Sequence, residues 1–148
     1  MFTLKNIISV LKTSKKPLYE LKYLLDKYNY NDWKEYRKLN DNTYEKNLIF
    51  RNKDYEMFLI CWNKNQFSGI HNHSENGCIY KVVEGQLSEF LYDPNNLNLK
   101  QSTSFNTNSV GYIDDNIGYH KMGNDLRKPA CSIHIYSPPN FVPFNFKN

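Results

Sequence analysis

A chain of 148 residues and 17.6 kDa has room for one hydrophobic core and not for two domains of ordinary size. With 40% hydrophobic, 16% aromatic and 23% charged residues it is not a disordered or collagen-like chain, and no apolar run reaches the ~18 residues of a membrane span. The net charge of +4 arises from 16 Lys and 3 Arg against 15 acids, scattered rather than striped. Alongside 21 Asn and 12 Tyr this reads as A/T-rich coding and not as a nucleic-acid footprint.

The N-terminal MFTLKNIISVLKTSKK interrupts its apolar residues with lysines and has no small-residue cleavage site, so no secretory signal is expected. From Pro17, Leu18, Leu21, Leu24, Leu25 and Tyr28 form the stripe of an amphipathic helix. NDWKEYRKL follows as a short second helix, with Asp32 as its expected N-cap and Trp33, Tyr36 and Leu39 at helical spacing.

From Tyr44 the period changes to two. YEMFLICW sets Met57, Leu59 and Cys61 against Phe58, Ile60 and Trp62, which predicts a strand covered on both faces. CIYKVVEGQLSEFLYD reads as a hairpin turning at Glu84-Gly85, its second arm pointing Leu87, Glu89 and Leu91 one way. DPNN and the polar QSTSFNTNS are expected to be loop. SVGYIDD and CSIHIYS supply further strands, and Pro138-Pro139 end the last. The expected fold class is therefore mainly β: a small β-barrel over residues 44–148 with helical cover from residues 1–40 packed outside it, in a single domain.

Three cysteines, Cys61, Cys78 and Cys131, are an odd number, which reads as a reducing compartment without a disulfide framework. All four histidines, His71, His73, His120 and His134, lie beyond residue 70. In an extended HNH segment both imidazoles point to one side and can reach one ion. The wider spacing matches the two cupin motifs: Gly69-Ile70-His71-Asn72-His73, then four intervening residues to Cys78, six more to Gly85, and later His120 with three residues between it and Asn124. Cys78 occupies the usual glutamate position, and Glu75 would reach the ion only if its loop bulged. Three neutral imidazoles leave a divalent charge uncompensated, which favours anionic substrates, a thiolate above all.

From about Tyr44 to Pro139 the sequence resembles the cysteine dioxygenases, thiol-oxidising cupins. YEKNL looks like the family's Tyr-x-Arg-Asn-Leu segment, HNHSENGC matches its H-x-H-x4-C, and DDNIGYHKMGN is similar to the segment bearing the third ligand. SIHIYSPP is close to its Ser-Leu-His-Leu-Tyr-Ser-Pro-Pro. The resemblance implies that His71, His73 and His120 bind Fe(II) and that Cys78 and Tyr136 are joined by a thioether. It also implies that His134, supported by Ser132, orients the Tyr136 phenol. Its implied activity is conversion of L-cysteine to cysteine sulfinate with O2 by a cytoplasmic monomer that engages neither nucleic acid nor membrane.

Two departures qualify this. Lys46 stands where the family has the arginine that clamps the substrate carboxylate, leaving Lys46 and Tyr44 as the expected carboxylate site; in regular alternation Arg51 faces away from Lys46. Only nine residues follow Pro139, where the family's animal members continue through further strand, so one barrel edge is expected to be less covered. Alternative readings are a dioxygenase of another small thiol, 3-mercaptopropionate or cysteamine, and a non-catalytic cupin that binds metal or a small ligand. Cys61 and Cys131 are expected to be buried small hydrophobes.

Overall fold

The computed structural model describes residues 1–146. The helical cover expected over residues 1–40 opens with α1 (Leu4–Thr13), which buries Leu4, Ile7 and Leu11. Thr3 caps it, its hydroxyl accepting from the Asn6 N–H while the Asn6 side chain accepts from the Thr3 N–H, so two otherwise orphaned donors are satisfied. The stripe from Leu18 forms a 3-10 turn (Leu18–Leu21) that runs into α2 (Lys22–Lys27). A second 3-10 turn covers Asp32–Tyr36. Asp32 does not cap it: its carboxylate accepts from the Leu4 N–H at 2.9 Å and the Tyr28 hydroxyl at 2.5 Å, so this acid serves the start of α1.

The strands are β1 (Glu45–Arg51), β2 (Glu56–Trp62), β3 (Gln66–Phe67), β4 (Ile70–His71), β5 (Cys78–Glu84), β6 (Gln86–Tyr92), β7 (Leu99–Asn106), β8 (Val110–Ile113), β9 (Tyr119–Asn124), β10 (Ala130–Tyr136) and β11 (Asn145–Phe146). They form two antiparallel sheets. One has the order β1-β2-β10-β5-β8; the other has the order β11-β4-β9-β6-β7, with β3 also on β9. The β2 alternation is obeyed, every residue being buried. Met57, Leu59 and Cys61 join Ile79, Cys131, Ile133 and Ile135 under the helices. Phe58, Ile60 and Trp62 join Tyr80, Val82, Leu87 and Met122 in a second cluster that draws on both sheets. The helical cover thus seals the outer face of the first sheet and leaves the inner face for chemistry. Lys81 ties that cover down, its buried ammonium donating to the carbonyls of Leu25 and Tyr28 at the end of α2 at 2.9 and 2.6 Å.

Two expectations about the strands fail for identifiable reasons. β5 and β6 are not a hairpin: β5 pairs with β10 and β8, and β6 with β7 and β9. Gly85 is a one-residue corner that passes the chain between sheets. Its φ of +71° suits glycine, and a Cβ there would meet the Pro129 carbonyl oxygen at 2.6 Å. The polar stretch after residue 99 is a strand, β7, whose residues are mostly exposed. An edge strand with water on both faces needs no apolar alternation, because its pairing with β6 supplies the order. The hairpin lies between β6 and β7. Finally, β11 pairs Asn145 with His71 and Phe146 with Ile70, so the tail covers the β4 edge.

Candidate metal centre

Three imidazoles meet on the second sheet. His71 in β4 and His120 in β9 are directly opposed, and His73 follows in the loop before β5. Their ring centroids lie 4.6 to 5.2 Å apart, and one nitrogen from each falls within 4.8 Å of the others. The loop returns to β5 through Gly77, at φ +77°, where a Cβ would meet the Ile113 carbonyl oxygen at 2.2 Å.

The far side of each ring decides what the near side offers. His71 Nδ1 lies 2.9 Å from the Gly69 carbonyl oxygen, His73 Nδ1 3.0 Å from Asp115 Oδ1, and His120 Nδ1 2.8 Å from Glu89 Oε2. Each acceptor calls for a proton on Nδ1 and leaves a bare lone pair on Nε2. His73 Nε2 is buried with no hydrogen-bond partner. His71 Nε2 and His120 Nε2 lie 3.1 Å apart, a contact between two lone pairs unless a cation sits between them. Ligands ~2.1 Å from an ion and at right angles to each other are ~3 Å apart, so the arrangement fits a divalent metal. Burial pushes His71 down to about 4 and His120 well below the ordinary histidine value, so both stay neutral and available as ligands.

Glu75 is exposed and outside this cluster, which among the described residues includes no carboxylate. The carboxylates stand behind the imidazoles instead. Glu89 also accepts from the Tyr80 hydroxyl at 2.6 Å, and Tyr80 stacks on His134 at 5.5 Å and 18°. Neither Glu89 nor Asp115 was singled out for this by sequence, since 31 and 42 residues separate them from their histidines.

On the opposite wall Cys78 and Tyr136 are directly paired across β5 and β10, which puts their side chains on one face. His134 Nδ1 reaches Tyr136 Oη at 3.4 Å and Cys78 Sγ at 3.7 Å. Its Nε2 lies 2.8 Å from Ser132 Oγ, which accepts from Trp62 Nε1 at 3.1 Å. Ser132 is fully buried, and His134 Nε2 is the acceptor within reach of its hydroxyl proton. The His134 proton therefore sits on Nδ1, facing the phenol. Burial raises the Cys78 thiol and Tyr136 phenol well above their ordinary values, so the phenol is a donor at neutral pH.

A cavity of about 100 Å³ opens onto the imidazoles and is also lined by Tyr44, Lys46, Glu56, Trp62, His134 and Tyr136. Tyr44 stacks on Trp62 at 4.6 Å. Although Lys46 is an exposed residue, its ammonium lies 4.6 Å over the Phe58 ring and 5.1 Å over Tyr136, and burial lowers it from the ordinary lysine value. Arg51 does not face away. A bulge at Ile49 moves the β1 register from Leu48↔Phe58 to Phe50↔Met57, which returns Arg51 to the inner face opposite Glu56. There it pairs with Glu56 at 2.9 Å. The cavity thus brings Tyr44, Lys46, His71, His73, His120, His134 and Tyr136 together, and Cys78 lies buried beside Tyr136 without lining it.

Two opposed antiparallel sheets with three convergent imidazoles on their inner faces define a metal-binding cupin. A protein with a double-stranded β-helix domain from Klebsiella pneumoniae superposes with a TM-score of 0.66 at 12% identity, over 82% of this chain and 94% of that one. An RmlC-like cupin from Desulfovibrio desulfuricans does so with 0.54 at 14% identity, over 74% and 96%. These likenesses concern the fold. Residues 3–146 match the family model for cysteine dioxygenase type I. Cysteine dioxygenase type 1 of Rattus norvegicus is 33% identical over 129 residues, 81% of this chain and 64% of that protein. The chain belongs to the cysteine dioxygenase type I family, and it spans just under two thirds of the length of that relative.

Proposed function

We propose that this chain is an Fe(II)-dependent dioxygenase that converts the thiol of L-cysteine to the sulfinate. The overall change is RSH + O2 → RSO2H, with both oxygen atoms ending on sulfur and no external reductant. The observation that carries this reading is the set of three convergent Nε2 lone pairs without a carboxylate ligand, facing the opposed Cys78 and Tyr136. Family membership supports it.

A bound Fe(II) would supply open coordination positions for a thiolate and O2 and a one-electron couple through which the four electrons lost by sulfur reach O2. The donor set by itself would also suit zinc, nickel or copper; membership of the cysteine dioxygenase type I family is what favours iron. His71, His73 and His120 would hold the ion through Nε2, with Asp115 and Glu89 fixing two of the rings. Lys46 and Tyr44 would bind the substrate carboxylate at the mouth. Tyr136, held by the His134 Nδ1–H, keeps its own proton free to donate into the cavity. A Cys78 to Tyr136 thioether would lock that phenol in place. Trp62 and Tyr44 form an aromatic wall that keeps water from the reacting sulfur.

These roles fit one domain, residues 44–148 as barrel and 1–40 as cover, acting as a cytoplasmic monomer on small molecules. Its three free thiols suit a reducing compartment, and among the described residues no helix is long and apolar enough to cross a membrane. A specific observation favours a second reading: the point charge of Lys46 replaces a planar fork, which loosens the demand for an amino-acid carboxylate and admits 3-mercaptopropionate or cysteamine. The test is oxygen uptake by anaerobically iron-loaded protein with each thiol, with products identified by mass spectrometry. Cysteine sulfinate as main product is the expected result; sulfinate from another thiol only would move the assignment to that substrate. Metal binding without oxygen consumption would leave a non-catalytic cupin.

A further inference from the structure

The mechanism above uses one of the three cysteines. The other two meet on the opposite side of the first sheet. Cys61 and Cys131 are directly opposed across β2 and β10, their sulfurs 3.4 Å apart. Both are fully buried and face outward under the helical cover, while their chain neighbours Trp62 and Ser132 face the cavity. Opposed antiparallel residues have Cα atoms ~4.5–5.5 Å apart, within the ~4.4–6.8 Å range that a disulfide spans.

The surroundings are those of a reactive thiol rather than of an inert core sulfur. Asn47 Nδ2 donates to Cys61 Sγ at 3.7 Å. Cys131 Sγ lies 3.9 Å from Glu84 Oε1, and Arg37 grips that carboxylate at 2.7 and 2.8 Å. The Cys131 S–H donor, then the Lys38 N–H, the Arg37 charge and Asn47, act together to pull Cys61 below the ordinary thiol value against its burial. Arg37 and Glu84 are themselves 35% and 29% exposed. A part-exposed ion pair therefore borders the two sulfurs, and its carboxylate is the solvent-reached group beside Cys131.

We propose that Cys61 and Cys131 form a second reactive site, a dithiol that a peroxide oxidises to a disulfide joining β2 to β10. The Cys61 thiolate attacks one peroxide oxygen and breaks the O–O bond, which gives a sulfenic acid and releases hydroxide. The Cys131 thiol, giving up its proton, then attacks the Cys61 sulfur and expels water. Two thiols lose two electrons and two protons, and the two peroxide oxygens leave as two waters. This site needs neither the metal nor the thiol substrate.

The experiment treats the full metal-loaded chain, under argon and without substrate, with a small excess of hydrogen peroxide, followed by unfolding, alkylation and peptide mapping. The expected result is a peptide linking Cys61 to Cys131 and a mass loss of two hydrogens that dithiothreitol restores. A Cys78 to Tyr136 thioether also removes two hydrogens, but dithiothreitol does not restore them, so the two are distinguished. Cys131→Val, a substitution of similar volume, should abolish the reversible loss and leave a Cys61 sulfenate that dimedone traps. Oxidation confined to Cys78 or methionine, with Cys61 and Cys131 still alkylated in full, would overturn the proposal. So would an undiminished reversible loss in Cys131→Val. Should that variant not fold, the wild-type peptide map decides alone.

Discussion

Lys46 and Arg51 share the inner face of β1 although five positions separate them, because the bulge at Ile49 resets the alternation. Both cations lie over the Phe58 ring, at 4.6 and 5.8 Å. They are not equivalent. Arg51 is held by Glu56, a 5%-exposed carboxylate that also accepts from the Asn140 N–H at 3.1 Å. Lys46 has no ion-pair partner among the described residues and is the cation open to a ligand.

Replacing Lys46 by Met should therefore raise KM for L-cysteine about tenfold or more, the worth of one charge-assisted hydrogen bond. Turnover of cysteamine, which has no carboxylate, should change little. Lys46→Arg should lower KM for L-cysteine by restoring a bidentate fork. Steady-state kinetics on both thiols check this, and equal effects on the two would place Lys46 outside the carboxylate site.

Glu89 lies behind His120, outside the three-imidazole cluster, and fixes the His120 proton on Nδ1. Glu89→Gln keeps the shape and can present an amide donor to His120, favouring the wrong tautomer. Iron affinity should fall ~10- to 100-fold. Competition against a calibrated chelator measures it. Retained affinity would mean that His120 is oriented by packing alone.

The opposed Cys78 and Tyr136 should yield a protein that is two hydrogens light after turnover with iron, O2 and thiol. Cys78→Ser should remove that deficit and lower kcat, with the fold intact by circular dichroism. Intact mass gives the answer directly. A deficit that survives in Cys78→Ser would assign the lost hydrogens elsewhere.

Burial pushes His134 down to about 3, whereas it titrates near ~6.5 when unfolded. Above ~6.5 it is neutral in both states. As pH falls below that value the unfolded chain takes up a proton that the folded chain refuses, so stability is lost between about 6.5 and 3. Each such histidine contributes up to ~1.4 kcal/mol per pH unit in that window. Urea titrations of metal-free protein between pH 7 and 5 should show the loss, and His134→Gln should reduce its slope. An unchanged slope in that variant would mean that His134 does not contribute to it.

Much of this protein was legible in its sequence where the signal is local. The two-faced alternation of β2, the H-x-H pair on one side of an extended segment and the Ser132, His134, Tyr136 alternation all follow from a period of two, which needs no knowledge of the rest of the chain. Local signals failed where a neighbour decides. QSTSFN in β7 lacks apolar alternation because β6 orders it from one side, and the β5 and β6 arms diverge at Gly85 because each finds a distant partner. The α1 helix lies within the expected helical cover, and its Lys5 and Lys12 stay on the exposed face.

The sequence by itself determined the ligand types, their spacing and the family, because those reside in residue identity at fixed offsets. Only the tertiary structure decided which atoms act. It set carboxylates from 31 and 42 residues away behind two of the imidazoles, and these, with the Gly69 carbonyl, turned all three Nε2 lone pairs inward. It returned Arg51 to the cavity face through a single bulged residue, and it laid Cys61 against Cys131 across 70 residues of chain. Strand register brings such groups together, and register is fixed by burying one face of the whole sheet rather than by any one segment.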